Sequence, residues 1–361
     1  MDKFPDLISL EEWGLFPAGR PYIIAGPCSA ESLEQVLDTA GALSAAGIKV
    51  FRAGVWKPRT RPGCFEGMGE VALDWLDEVK ARTGLKVCTE VASALHVRLC
   101  LQHGVDMVWI GARTTTNPFL VQEIADALSG SDIPVLVKNP INTDIDLWIG
   151  AIERLYRAGI RKIGVVHRGF SSLAKIRYRY NPQWQVAVEM RSRFPQLPFF
   201  CDPSHIGGAR EFVPEISRKA MTLGLDGLMV ESHRNPAEAL SDKDQQLTPD
   251  GLVAMLEGLE VRNVDTDNND YRLAVDSLRA RIDAIDDEIL SALAARMDIS
   301  RRIGEVKKAN NVAIIQTARW ENVLADVREK AARYKLPDDF VIALFNTIHD
   351  ASIHAQSSDG E

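Results

Sequence analysis

The 361-residue chain has an ordinary globular composition, 46% hydrophobic and 25% charged, and length enough for one barrel-sized domain plus a smaller one. A formal net charge of -8 argues against nucleic acid or a membrane surface as partner, and no apolar run is long enough for a signal core or a bilayer span. The five cysteines, at 28, 64, 88, 100 and 201, are odd in number and lack CxxC spacing, which fits a reducing cytoplasm.

From Pro21 to about Leu259, short apolar runs alternate with helix-like segments. The runs are Tyr22–Ala25, Lys49–Phe51, Lys86–Cys88, Met107–Ile110, Val135–Val137, Lys162–Val166, Phe199–Cys201 and Gly227–Val230. None shows clean period-two alternation, which predicts parallel strands covered on both faces. Amphipathic stretches lie between them, among them Leu33–Ala46, Ala72–Thr83, Phe119–Leu128, Leu147–Ala158 and Val213–Leu223. Eight strand–helix units in about 240 residues predict an α/β fold, the (β/α)8 TIM barrel. A doubly wound open sheet is the alternative, but no Gly-rich dinucleotide turn follows the first run.

Polar residues follow every run, at the mouth where barrel enzymes carry their sites. The densest set is Arg52, Lys57, Arg59, Thr60 and Arg61, in a loop that Pro58 and Pro62 keep from being helical. Taken alone it reads equally as a solvated basic loop or as a grip for a compact anion such as phosphate. Arg113, Lys138 and Arg168 follow other strands, and together these cations exceed the need of one phosphate. Two phosphorylated substrates, or a phosphate and a carboxylate, fit that charge. Cys28, His205, Glu231 and Asp242 follow the first, seventh and eighth runs. They can converge as a mixed-softness divalent metal site, or be a buried cysteine and surface acids. Ser29, Thr89 and Asp202 can also be helix caps.

Residues 1–260 form the expected barrel domain, 261–270 a polar linker, and 271–361 a helical domain. Leu278, Ile282, Ile285, Ile289 and Leu293 recur at spacings of three and four, with no Pro or Gly before Gly304. One helix from Arg272 to Ala309 would be roughly 57 Å long. About ninety residues cannot cover such a rod, so a homodimer through this domain is expected. Two shorter helices follow, near Thr317–Tyr334 and Asp338–Gln356.

Gly26-Pro-Cys-Ser29, Lys57-Pro-Arg-Thr60, Gly111-Ala-Arg113, Asp202-Pro-Ser-His205 and the Glu231 and Leu240-Ser-Asp242 region resemble the type I DAHP synthases over about residues 20–260. That resemblance implies condensation of phosphoenolpyruvate with erythrose 4-phosphate. It implies Cys28, His205, Glu231 and Asp242 as ligands of one divalent metal, Mn²⁺ first, with Fe²⁺, Co²⁺ or Zn²⁺ as other occupants. It further implies Arg52, Lys57, Arg113, Lys138 and Arg168 as the phosphoenolpyruvate pocket, with Arg59 and Thr60 gripping the aldose phosphate. Lys57 is then placed to protonate the new alkoxide, and Glu90 either orients water or pairs with an arginine. Lys138-Asn-Pro140 is the form of the related KDO8P synthases, the rival reading, whereas Lys57-Pro-Arg-Thr60 is the DAHP form.

Residues 272–356 resemble the all-helical chorismate mutases at Arg279, Arg296, Lys307, Ser352 and Gln356. Arg296 and Lys307 are eleven apart and share a helix face, and Ser352 and Gln356 are i,i+4 neighbours. Arg279 is turned roughly 100° away, and in the resembling family this arginine comes from the partner subunit. Gln316 and Trp320 stand where that family has an Asp and a Glu contacting the substrate hydroxyl. The alternative is a non-catalytic dimeriser and effector sensor. About twenty residues precede the first run, so no N-terminal regulatory domain is expected. Control is expected instead from prephenate or chorismate bound to the helical domain.

Overall fold

Alternation along eight short parallel strands sorts their side chains into two layers and determines what reaches the mouth. The computed structural model describes residues 4–58, 63–172, 176–261, 269–314 and 317–357. The strands are β1 (Tyr22–Gly26), β2 (Val50–Arg52), β3 (Lys86–Val91), β4 (Met107–Ile110), β5 (Val135–Lys138), β6 (Ile163–His167), β7 (Phe199–Cys201) and β8 (Gly227–Glu231). They pair in sequence order and close through β1 and β8, register Ile24 to Met229. The main helices between them are α1 (Leu33–Ala45), α2 (Val71–Thr83), α3 (Ala94–Gln102), α4 (Pro118–Leu128), α5 (Ile145–Arg157), α6 (Trp184–Arg193), α7 (Val213–Thr222) and α8 (Pro249–Glu257). Ser32, Ser93, Asn117, Asp144 and Thr248 cap α1, α3, α4, α5 and α8 by accepting backbone N–H bonds.

Ile24, Val50, Cys88, Trp109, Leu136, Val166, Phe200 and Met229 point inward and form one cluster, which Leu10, Trp13 and Leu15 join where the strands begin. Ala25, Phe51, Val87, Val108, Val137, Val165, Phe199 and Val230 point outward beneath the helices. Both faces are apolar, so the runs carry no polar alternation. The hidden period of two then acts at the strand ends. Two residues beyond an inward apolar side chain come Arg52, Glu90, Lys138, Arg168, Asp202 and Glu231, and Cys28 lies two beyond Gly26. Gly26 has φ +150, and a Cβ there would collide with the Arg52 carbonyl.

The strand limits differ from the sequence reading in one instructive place. β3 continues to Val91 because its register with β4 holds as far as Ile110, so Thr89 and Glu90 lie in the strand. Thr89 is not a cap; its hydroxyl accepts from Val55 N. Ser29 Oγ is bonded to Ser241 Oγ, and Asp202 does cap the short turn Pro203–Gly207.

The chain divides into two compact units, Met1–Val264 and Asp265–Glu361. The second contains α9 (Asn269–Ala309), α10 (Thr317–Tyr334) and α11 (Asp338–Ser357), with α11 packed on both others. At 41 residues α9 is roughly 60 Å long. Gly304 permits the α9–α11 approach, since a Cβ there would lie 2.6 Å from the Gln356 carbonyl. Among the described residues, Val327, Ala331 and Val341 are this unit's buried apolar cluster. Leu278, Ile282, Ile285, Ile289 and Leu290 of α9 are each more than half exposed.

Candidate active sites in the barrel mouth and the helical unit

Trp109 is the floor of the barrel site. Arg52 lies 4.9 Å from its ring centroid and Lys138 5.6 Å, while its Nε1 donates to Glu90 Oε2 at 3.3 Å. Arg52 is fully buried, and Nη2 lies 3.3 Å from Glu231 Oε1. Its Nε and Nη1 have no partner among the described residues. Buried guanidinium donors are normally satisfied, so these two mark a place for an anion. Lys57 Nζ donates to the Cys28 carbonyl at 2.9 Å, and Lys138 Nζ lies 2.6 Å from Asp202 Oδ2. Burial opposes the charge of Lys57, but Cys28, Glu90 and Glu231 outweigh it and hold the ammonium above the ordinary lysine value. Gly111 leaves room for Glu90, whose carboxylate would meet any Cβ there.

A second cationic edge centres on Tyr180, which the sequence reading did not single out. Arg168 stacks on its ring at 3.6 Å. Burial pushes the Tyr180 phenol up, yet Arg168, then Arg179 and Arg113, bring it below the ordinary value. Three arginines acting on one phenol amount to a local excess of positive charge. Arg113 is exposed on the short turn Ala112–Thr115. Arg59 and Thr60 lie outside the described residues.

Cys28 Sγ and carboxylate oxygens of Glu231 and Asp242 lie within 4.8 Å of one another. His205 stands beside them, Nδ1 3.7 Å from Glu231 Oε1 and 2.9 Å from Asp202 Oδ2. Burial, reinforced by Glu231, pushes the Cys28 thiol up to about 12. Burial also lowers His205, leaving a neutral imidazole, the form that binds metals. Against burial, the charges of Arg179 and Lys57, with a hydrogen bond from Arg179, hold Asp242 ionised. One soft donor, one imidazole and two carboxylates fit a divalent ion, and a cation beside Cys28 would favour its thiolate. Around this set, Arg179 and Gln245 are not among the residues the sequence points to, and Asp202, expected as a cap, also pairs with a cation. Arg179 contacts Asp242 Oδ1 at 3.0 Å, Gln245 Nε2 donates to Glu231 Oε2 at 2.8 Å, and Asp202 pairs with Lys138. Inward spacing after Phe200 was the available signal for Asp202. Arg179 and Gln245 sit in loops and gave none.

The helical unit has its own cavity of about 360 Å³, lined by Arg296, Ser300, Ile303, Lys307, Ile314, Trp320, Val323, His349, Ser352, Ile353 and Gln356. Arg296 donates to Ser352 Oγ, and Lys307 donates to Gln356 Oε1 at 3.1 Å and to the Ile314 carbonyl at 2.6 Å. Arg279 is exposed beside Asp276 at 3.6 Å and does not line this cavity.

The first unit is therefore a (β/α)8 barrel with a cationic mouth and a set of side chains able to hold a metal, and the second is an all-helical unit with a cationic pocket. The chain belongs to the DAHP synthetase I family, whose model matches residues 17–266, and residues 278–357 match chorismate mutase type II. The phospho-2-dehydro-3-deoxyheptonate aldolase of Thermotoga maritima is 37% identical over 226 residues, covering 62% of this chain and 64% of that protein. The chain thus spans less than two thirds of that relative's length. The 2-dehydro-3-deoxyphosphooctonate aldolase of Azoarcus sp. is 31% identical over 61% of this chain and 83% of its own length. The crystal structure of the Thermotoga maritima DAHP synthase matches with TM-score 0.62 at 32% identity, covering 70% of this chain and 72% of that one.

Proposed function

We propose that the chain is bifunctional, condensing phosphoenolpyruvate with erythrose 4-phosphate to DAHP and phosphate, and rearranging chorismate to prephenate. The observation that carries the first activity is Arg52, buried beside Lys57 and Lys138 with two donors that have no partner among the described residues. Arg52, Lys138, Arg168 and Arg113 hold the phosphate and carboxylate of phosphoenolpyruvate, and Arg59 with Thr60 grips the aldose phosphate. Lys57 gives its proton to the alkoxide formed as the enol carbon joins the aldehyde. Glu90 orients the water that adds to C2 before the C2–O bond to phosphate breaks. Cys28, His205, Glu231 and Asp242 would hold a divalent ion, Mn²⁺ first, whose contribution is to polarise the aldehyde. Excess chelator is expected to abolish DAHP formation and Mn²⁺ to restore it, with mutase turnover unaffected. Synthesis that continues unchanged in chelator would remove the metal from the scheme. Parallel assays with erythrose 4-phosphate and arabinose 5-phosphate decide between the DAHP and KDO8P readings; the higher identity to the heptonate enzyme supports the former.

Chorismate rearranges unimolecularly, so its site needs only to hold a compact dicarboxylate and stabilise charge on the breaking ether. Arg296 and Ser352 suit the first task, with Arg279 supplied by a partner subunit, and Lys307 with Gln356 suits the second. The competing role as dimeriser and sensor draws its support from Trp320 in the cavity wall.

The exposed apolar stripe of α9 supports a homodimer through residues 271–361, and the scattered, unpaired cysteines suit subunits in a reducing cytoplasm. A chain ending near Glu260 is expected to sediment as a smaller assembly; an unchanged oligomer would assign the interface to the barrel. Prephenate, ahead of chorismate, is the expected inhibitor of DAHP synthesis, through the cavity of Arg296 and Lys307. A coupling of about 1–3 kcal/mol would weaken substrate binding roughly 5–150-fold. Titrating synthesis with prephenate tests this, and no inhibition ends the idea.

A further inference from the structure

The helical cavity is polar on one side and aromatic on another. Arg296, Lys307, Ser352 and Gln356 supply the polar side. On another wall Trp320 of α10 and His349 of α11 lie stacked, ring centroids 3.8 Å apart and planes within 9°. No carboxylate lines this cavity among the described residues. The long donors are braced on the polar side, Arg296 by Ser352 and Lys307 by Gln356 and the Ile314 carbonyl. The imidazole makes no hydrogen bond among the described residues, and its ring carries two nitrogens able to form one. A dianionic cyclic ligand with a carboxylate on Arg296 and its ether oxygen toward Lys307 and Gln356 would turn its remaining edge toward this wall.

Resting on the mutase reading, we propose that the Trp320–His349 stack is the specificity wall of the cavity. The indole fixes the imidazole in one plane and presents apolar surface to the ligand ring. His349 is the hydrogen-bond partner of the ring hydroxyl. Recognition of a hydroxyl by imidazole rather than carboxylate leaves no negative charge to repel the ligand's own carboxylates. That keeps the pocket uniformly attractive to a dianion.

The test uses the full chain and calorimetric titration with chorismate and with an analogue in which hydrogen replaces the ring hydroxyl. Wild type is expected to bind chorismate about tenfold more tightly, the scale of one hydrogen bond. His349→Phe retains the stack and should bring the two affinities together by weakening chorismate alone. His349→Gln returns a donor and acceptor and should restore part of the difference. Trp320→Leu should weaken both ligands, and chorismate the more, since the imidazole loses the indole that fixes its plane. Undiminished discrimination in His349→Phe overturns the assignment while leaving the mutase reading intact. Wild type that discriminates between the ligands yet forms no prephenate keeps the assignment and removes the catalytic reading. A protein that binds neither ligand removes both.

Discussion

Arg296→Ala is expected to lower mutase turnover by roughly a hundred- to a thousandfold while DAHP synthesis stays near the wild-type rate. The guanidinium lines the helical cavity and is braced by Ser352, so it is preorganised for a carboxylate. Alanine leaves that carboxylate without its forked donor, and losses of this size follow when a substrate is no longer held in its reactive conformer. The residues proposed for DAHP synthesis lie in the other unit, within Met1–Val264. Both rates measured on one preparation decide the matter. Parallel collapse of the two would mean that the units do not work as separate catalysts.

Arg52→Met should be the most damaging change in the barrel, and it should damage stability as well as rate. Glu231 is fully buried and faces Arg52 at 3.3 Å. Methionine preserves much of the volume over Trp109 but strands the carboxylate, and breaking a buried pair from one side destabilises by about 3–5 kcal/mol. In a barrel of this size that lowers the melting transition by roughly 10 °C. DAHP synthesis should fall below detection, since two anion-directed donors leave with the side chain. A melting point within a degree or two of wild type would show that Glu231 finds another partner.

The barrel was legible because eight apolar runs end in eight polar signatures, a pattern that short parallel strands impose on any sequence that forms them. The strand limits were less so. β3 runs through Thr89 and Glu90 because cross-strand register with β4 decides where pairing stops, and register is not written in one strand alone. The mouth cations could be named from the chain, and their sorting required inward spacing: Lys138 against Asp202, Arg52 against Glu231. Arg179 and Gln245 brace Asp242 and Glu231 from loops, where no periodicity announces a side chain's direction. In the helical unit, spacing placed Arg296 with Lys307 and Ser352 with Gln356. The stacking of Trp320 on His349 joins two helices and is a tertiary fact.

Closure of the barrel through β1 and β8 has a consequence for synthesis of the chain. The first strand is made about two hundred residues before the partner that seals its free edge. At ribosomal speeds of about 5–20 residues per second, Ile24 and its neighbours wait on the order of 10–40 s for Met229 to emerge. Throughout that interval the nascent sheet has an open side, and α9, with its apolar stripe, has not yet been translated. Chaperone demand should therefore peak before residue 231 leaves the exit tunnel and fall once the last strand docks.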